Sequence, residues 1–253
     1  MLGIGGLAQA DAPKIGIVVM HGKGGSPAKF VDVLASGLEQ KGLLVANIEM
    51  PWSKRRDYDV PAAQAVDEVR AALDGLKARG AQKFFVAGHS QGGVFAVHFG
   101  GVGAVDGIVA IAPGGSVDAK VFVDNLGPSL AEARQLIAEG KGKEKARLMD
   151  YEGSRGTSFV MTTPENYVGW FDPAGVMSLT RTVRELKVPI LWAVAARDYP
   201  GLRKSNPDLF KSFPAHPLNK YFEPDSDHLN APAASVDAVA AWTEAVAMAK
   251  NRD

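Results

Sequence analysis

The chain has 253 residues, 46% of them hydrophobic, which is enough for one sizeable core and too little for two full domains. Lysine plus arginine equals aspartate plus glutamate at 28 each, so no overall field draws the chain to nucleic acid or an anionic membrane, and a neutral or small-molecule substrate is expected. Cysteine is absent, which excludes disulfides, thiolate metal sites and a cysteine nucleophile.

The stretch from Leu2 to Ala10 is apolar and ends Ala8-Gln9-Ala10, the small-residue pattern that signal peptidase cleaves. It has no basic residues ahead of it and is short, so it reads as the back half of an export signal. That expectation leans towards a periplasmic protein, with a tail on a cytoplasmic one as the alternative. No run approaches the roughly 18 apolar residues of a membrane-spanning helix.

Five short apolar runs follow: Ile15 to Met20, Leu43 to Ile48, Phe84 to Ala87, Ile108 to Ile111 and Ile190 to Ala195. A weaker sixth, Leu218 to Phe222, is interrupted by Asn219 and Lys220. Between them, Phe30, Val31, Leu34 and Leu38 recur at helical spacing before Gly42, and Val66, Val69, Leu73 and Leu76 do so before Gly80. Val236, Val239, Trp242 and Val246 give a last helix with Ser235 near its start. Strand runs alternating with helices predict an α/β fold, a mostly parallel sheet of about six strands covered on both faces. The stretch from Gly114 to Leu186 breaks the rhythm. It holds a helix at about Leu130 to Glu139, a Gly- and Lys-rich segment, and the aromatics Tyr151, Phe159, Tyr167, Trp170 and Phe171. A structureless loop of that size is improbable, so a small cap insertion is expected in one domain spanning 11–253.

Gly88-His89-Ser90-Gln91-Gly92 stands between the third strand run and a helical stretch. A serine hydroxyl is a poor nucleophile unless it is lifted clear of the backbone beside a base with N–H donors near it, and a sharp strand-to-helix turn supplies that geometry. Residues two before and two after must then be small. Glycine makes up 28 of 253 residues, so chance flanks a given serine in this way roughly once in eighty.

A base must accompany Ser90. His21, His89 and His98 read as structural and His216 as a solvated loop residue. His228 follows the last strand through Glu223-Pro224-Asp225-Ser226-Asp227, on the sheet edge where ligands gather, and is the expected base. Asp198 ends the run from Pro189 and is the expected carboxylate for the imidazole, ahead of Asp225 and Asp227, which lie too close to His228 in sequence. The oxyanion donors are expected to be the backbone N–H groups of Gln91, after the serine, and Lys23, in the loop Met20-His21-Gly22-Lys23-Gly24-Gly25. That loop is no phosphate loop, since Ile17 occupies the place of the first glycine and Gly24 that of the magnesium-binding Ser or Thr.

With these residues the chain resembles the α/β-hydrolase superfamily from about Lys14 to Lys250, with the order Ser90, Asp198, His228 that this superfamily uses. It is similar to a compact form whose sheet begins at Ile15, and it departs from the pattern at Lys23, where an apolar residue or glycine often stands. The resemblance implies a carboxylesterase-like serine hydrolase that works through an acyl-enzyme and needs no cofactor or metal. An amidase or peptidase, a thioesterase and an acyltransferase share the same triad, and a non-catalytic binding module shares the fold. Trp52, Tyr199, Tyr167 and Trp170 are candidates to line an apolar pocket for an ester substrate; the cap aromatics holding the cap together is the other reading. Lys54-Arg55-Arg56 is read as a solvated loop rather than a site for an anionic group.

Overall fold

A computed structural model describes residues 12–249 of the chain. The signal-like segment from Leu2 to Ala10 lies outside the described residues. The main sheet is built from β1 (Ile15–Met20), β2 (Leu44–Ile48), β3 (Lys83–His89), β4 (Gly107–Ile111), β7 (Ile190–Ala193) and β8 (Lys220–Phe222). Its strand order is β2-β1-β3-β4-β7-β8 and every pairing is parallel. The connections run in opposite directions from β1 and β3, so the carboxyl ends of these two neighbours open a crevice where an α/β sheet takes its ligands.

Helices cover both faces, and this is why the strands read as unbroken apolar runs. In β1 the alternation still decides sides. Ile15, Ile17 and Val19 join a core with Leu34 and Leu38 of α1 (Asp32–Gln40) and Val239 and Trp242 of α9 (Val236–Met248). Val18 and Met20 join the opposite core with Val66, Val69 and Leu73 of α2 (Ala62–Ala78) and Val94 and Phe95 of α3 (Gln91–Val102). Among the described residues no helix is long and apolar enough to cross a membrane.

The sheet's far edge is shorter than its sequence suggests. Leu218 and Asn219 precede β8 without joining it, and the Asn219 side-chain oxygen accepts from the Ile190 N–H at 3.1 Å in place of a strand partner. β7 ends at Ala193, although Val194 and Ala195 remain buried.

Between β4 and β7 lie α4 (Lys120–Ala138), an antiparallel hairpin of β5 (Ala146–Glu152) and β6 (Gly156–Thr162), α5 (Pro164–Phe171) and α6 (Leu179–Glu185). α4 begins ten residues earlier than the apolar spacing indicates, because Gly127-Pro128, which usually breaks a helix, sits inside it. The hairpin escapes a sequence reading because it buries the polar Asp150 and Thr162 while exposing Phe159 and Met161, so no apolar alternation marks it. α7 (Pro200–Lys211) lies between β7 and β8, and the short α8 (Ala231–Ala234) precedes α9.

Candidate active site

β3 ends at His89 and α3 starts at Gln91, which leaves Ser90 alone in the turn at φ 54°, ψ −117°. A serine does not adopt this backbone freely; the surroundings impose it. Its N–H donates to the Ile111 carbonyl at 2.9 Å, and its own carbonyl accepts from Gly93 N–H at 2.9 Å and Val94 N–H at 3.1 Å. A Cβ on Gly92 would lie 2.6 Å from the Met20 carbonyl oxygen, so the helix reaches β1 this closely only as glycine.

The loop after β8 brings His228 to Ser90, with Nε2 at 3.0 Å from the serine Oγ. Nδ1 lies 2.8 Å from Asp198 Oδ1 just beyond β7. With Nδ1–H donating to the carboxylate, Nε2 is left as the acceptor facing the serine hydroxyl. Asp198 is buried, and its Oδ1 also accepts the Tyr199 N–H at 2.7 Å. The two loops are fastened together by the parallel bridge of Arg197 with Asp227, in which Arg197 N–H donates to the Ser226 carbonyl at 2.9 Å. Asp225 is spent on Arg197 and Asp227 on Asn230.

Gly22 is packed on the serine, since a Cβ there would lie 3.1 Å from Ser90 Cβ. The loop it belongs to is tied by Gly25 N–H to the Gly22 carbonyl at 3.1 Å and by Gly24 N–H to the Trp52 carbonyl at 2.9 Å. Within the described residues the N–H groups of Lys23 and Gln91 make no hydrogen bond, and that of Gln91 belongs to the first turn of a helix, where no intrahelical acceptor exists.

Of the four aromatic side chains expected to line a pocket, three are placed elsewhere. Trp52, Tyr167 and Trp170 are 1%, 0% and 1% exposed. Trp52 meets Trp170 edge to face at 5.7 Å, and Tyr167 stacks on Phe171 at 4.5 Å. Their polar ends donate to main-chain carbonyls: Trp52 to His21, Trp170 to Val60 and Tyr167 to Met149. They pack the insertion onto the sheet, and the physical reason is that a buried indole or phenol must satisfy its donor internally. Tyr199 alone is half exposed, its ring 4.8 Å from that of His228.

Three side chains noted in the sequence, Lys23 as a departure, Arg56 as solvated and His89 as structural, have partners that the sequence does not reveal. The Lys23 ammonium is enclosed and pairs with Asp150 of β5 at 2.6 Å. Arg56 is mostly covered, not solvated, and reaches Glu68 at 2.6 Å and Asp59 at 3.0 Å, while Arg55 pairs with Glu49. His89, buried at the elbow, donates from Nε2 to the His228 carbonyl at 2.9 Å and so supports the loop that carries the second histidine.

Burial, and then the neighbouring His228, push the His89 imidazole down to about 3. Burial, and then the Arg181 charge, push His98 down to about 4, and burial lowers His21 as well. These rings fold neutral. An ordinary histidine in the unfolded chain takes up a proton below about 6.5. Between that value and the lowered folded values the unfolded state therefore binds more protons, and stability falls as pH falls. For His89 and for His98 the slope approaches roughly 1.4 kcal/mol per pH unit well below pH 6.5. Urea midpoints should decline from pH 7 to pH 5, above the range where most carboxylates titrate. A midpoint constant over that range would contradict neutral burial.

The Alpha/beta hydrolase family model matches residues 17–249. No curated protein matches the chain. Among solved structures it is similar to the α/β hydrolase GrgF from Penicillium sp. sh18, with a TM-score of 0.68 and 13% identity over 94% of this chain and 90% of that one. It is also similar to the monoacylglycerol lipase of Paleococcus ferrophilus, with a TM-score of 0.64 and 17% identity over 91% and 94%. A structure from a study of the metagenome-derived lipolytic enzymes LipS and LipT gives 0.61 and 18% over 93% and 94%. At these identities the likeness concerns the fold, but the family match spans the sheet, the elbow and both loops that meet there, and the chain belongs to the alpha/beta hydrolase family.

Proposed function

We propose that the protein is a serine hydrolase that cleaves carboxylic esters through an acyl-enzyme. The observation that carries the reading is the unbroken line from Asp198 through both nitrogens of His228 to the Ser90 hydroxyl, at 2.8 Å and 3.0 Å. Ser90 Oγ attacks the ester carbonyl while His228 Nε2 takes its proton. Asp198 stabilises the imidazolium, which then returns the proton to the departing alkoxide. The N–H groups of Lys23 and Gln91 hold the oxyanion, each donor of this kind contributing about 3 to 4 kcal/mol to the transition state. Water activated by the same histidine then releases the acid and restores the serine. The line of residues needs no cofactor.

The lipase and lipolytic-enzyme names among the structural neighbours agree with an ester substrate. Beside His228, the half-exposed Tyr199 offers an apolar face to the substrate. The test combines two measurements on the intact protein: turnover of p-nitrophenyl esters of increasing acyl length, and labelling by a fluorophosphonate that reacts only with an activated serine. Turnover with an optimum chain length, together with labelling at Ser90, is expected. Matched amide and thioester substrates should turn over more slowly. A protein that neither hydrolyses the esters nor takes up the label is not this enzyme.

A further inference from the structure

We propose that the insertion between β4 and β7 fixes the two oxyanion donors, with Asp150 acting as a positioning residue for Lys23 and Tyr58 as one for Gln91. This rests on the esterase reading, in which those two backbone N–H groups hold the oxyanion.

The chemistry asks nothing of the Lys23 side chain. Only its backbone N–H takes part, so no reaction step requires an ammonium group there. Yet that side chain crosses to the insertion hairpin. Lys23 Nζ donates to Asp150 Oδ1 at 2.6 Å and to the Tyr151 carbonyl at 3.0 Å, and it lies 5.4 Å from the Phe171 ring centre and 5.8 Å from that of Phe122. The two charged side chains are 13% and 7% exposed. Enclosing such a pair costs much of its Coulombic gain, so stability is a weak reason for it, whereas a fixed geometry is a good one. The pair has a defined direction as well, because Asp150 Oδ1 is itself held by the Tyr151 N–H at 2.8 Å.

The second donor has its own link, through different residues. The Gln91 side chain is buried and shares the Tyr58 hydroxyl, with Gln91 Nε2 at 3.1 Å and Oε1 at 3.3 Å from it. Tyr58 is completely enclosed in turn, between the rings of Phe171 at 4.9 Å and Trp170 at 5.8 Å. It sits at φ 58°, next to Asp57 at φ 51°, in the left-handed region that a bulky residue occupies only under constraint. The insertion provides that constraint. The Tyr58 carbonyl accepts from Thr162 Oγ1 at 2.6 Å and Asn166 Nδ2 at 3.1 Å, and the Asp57 carboxylate accepts from Met161 N–H at 2.6 Å. One structural unit thus grips the residue after the nucleophile on one side and the glycine-rich loop on the other.

Displacement of a donor by about 1 Å is enough to lower a rate by roughly two orders of magnitude. Asp150→Asn and Tyr58→Phe preserve shape and remove one link each. Each is expected to lower kcat for p-nitrophenyl ester hydrolysis by about 10- to 100-fold with KM within about threefold of the intact protein. Affinity for a trifluoromethyl ketone, which forms the tetrahedral adduct, should fall in parallel with kcat, while affinity for the product acid stays constant. A link that serves only to fasten the insertion would lower the unfolding midpoint and leave these ratios unchanged. Wild-type kcat in folded Tyr58→Phe, or losses confined to KM, overturns the proposal even if the intact protein is an active esterase. If Asp150→Asn does not fold, Tyr58→Phe decides alone. Failure of the intact protein to hydrolyse esters or take up the fluorophosphonate is a separate result, and it removes the esterase reading itself.

Discussion

Ser90→Ala is expected to lower kcat for p-nitrophenyl esters by about four to six orders of magnitude while the protein remains folded. The size follows from what the substitution removes. The Oγ atom is the only one in the proposed site placed to bond covalently with a carbonyl carbon, and it is the partner of His228 Nε2. The variant retains the Asp198 to His228 bond and the amides of Lys23 and Gln91, so a residual rate above the solution reaction remains. Stability should change little, because serine and alanine suffer the same backbone strain at φ 54° and only one partly exposed hydrogen bond is lost, about 1 kcal/mol. Circular dichroism and a urea transition run with the kinetics separate lost chemistry from lost fold. A variant that keeps more than about one per cent of the parent rate would show that another group does the attacking.

How far the sequence reached depends on the kind of interaction involved. The sheet was legible because β1, β3 and β4 are covered on both faces, which gives contiguous apolar runs, and because α1, α2 and α9 each bury one stripe. The positions of Ser90, Asp198 and His228 could be read because all three stand at carboxyl ends of parallel strands, and topology brings those ends together whatever the loop details. The insertion follows no such rule. β5 and β6 bury the polar Asp150 and Thr162 on a hairpin of two strands, and both residues reach distant segments, Asp150 to Lys23 and Thr162 to Tyr58. Neither contact leaves a periodic trace. Trp52, Tyr167 and Trp170 illustrate the same limit, since aromatic composition is alike for a pocket wall and for a packed joint, and only the direction of the indole and phenol donors distinguishes them. Lys23 did leave a signal as a charged residue where small or apolar ones are usual. Its partner lies 127 positions away, beyond the reach of a single sequence.

Gly88→Ala should abolish folding or lower stability by more than about 4 kcal/mol, although the change adds a single methyl group. A Cβ on Gly88 would stand 2.0 Å from the Gly92 carbonyl oxygen, 2.1 Å from its carbonyl carbon and 2.6 Å from the Gly93 nitrogen. These are backbone atoms of the first turn of α3, so no side-chain rotation relieves the overlap. β3 is also locked in place, with Gly88 in register with Met20 on one side and Ala110 on the other. Relief therefore requires α3 to withdraw from the sheet, which would expose Val94, Phe95 and Val97, all fully buried. Gly75→Ala is the appropriate contrast. That glycine lies inside α2 with open space where its Cβ would go, so the same chemical change should stabilise the protein by roughly 0.5 to 1 kcal/mol. Urea unfolding of the two variants beside the parent tests the pair, and a Gly88→Ala protein with the parent's midpoint would show that strand and helix do not approach this closely. The close approach is also what turns the chain sharply enough to leave Ser90 in the turn, so the fold and the proposed nucleophile depend on the same missing methyl group.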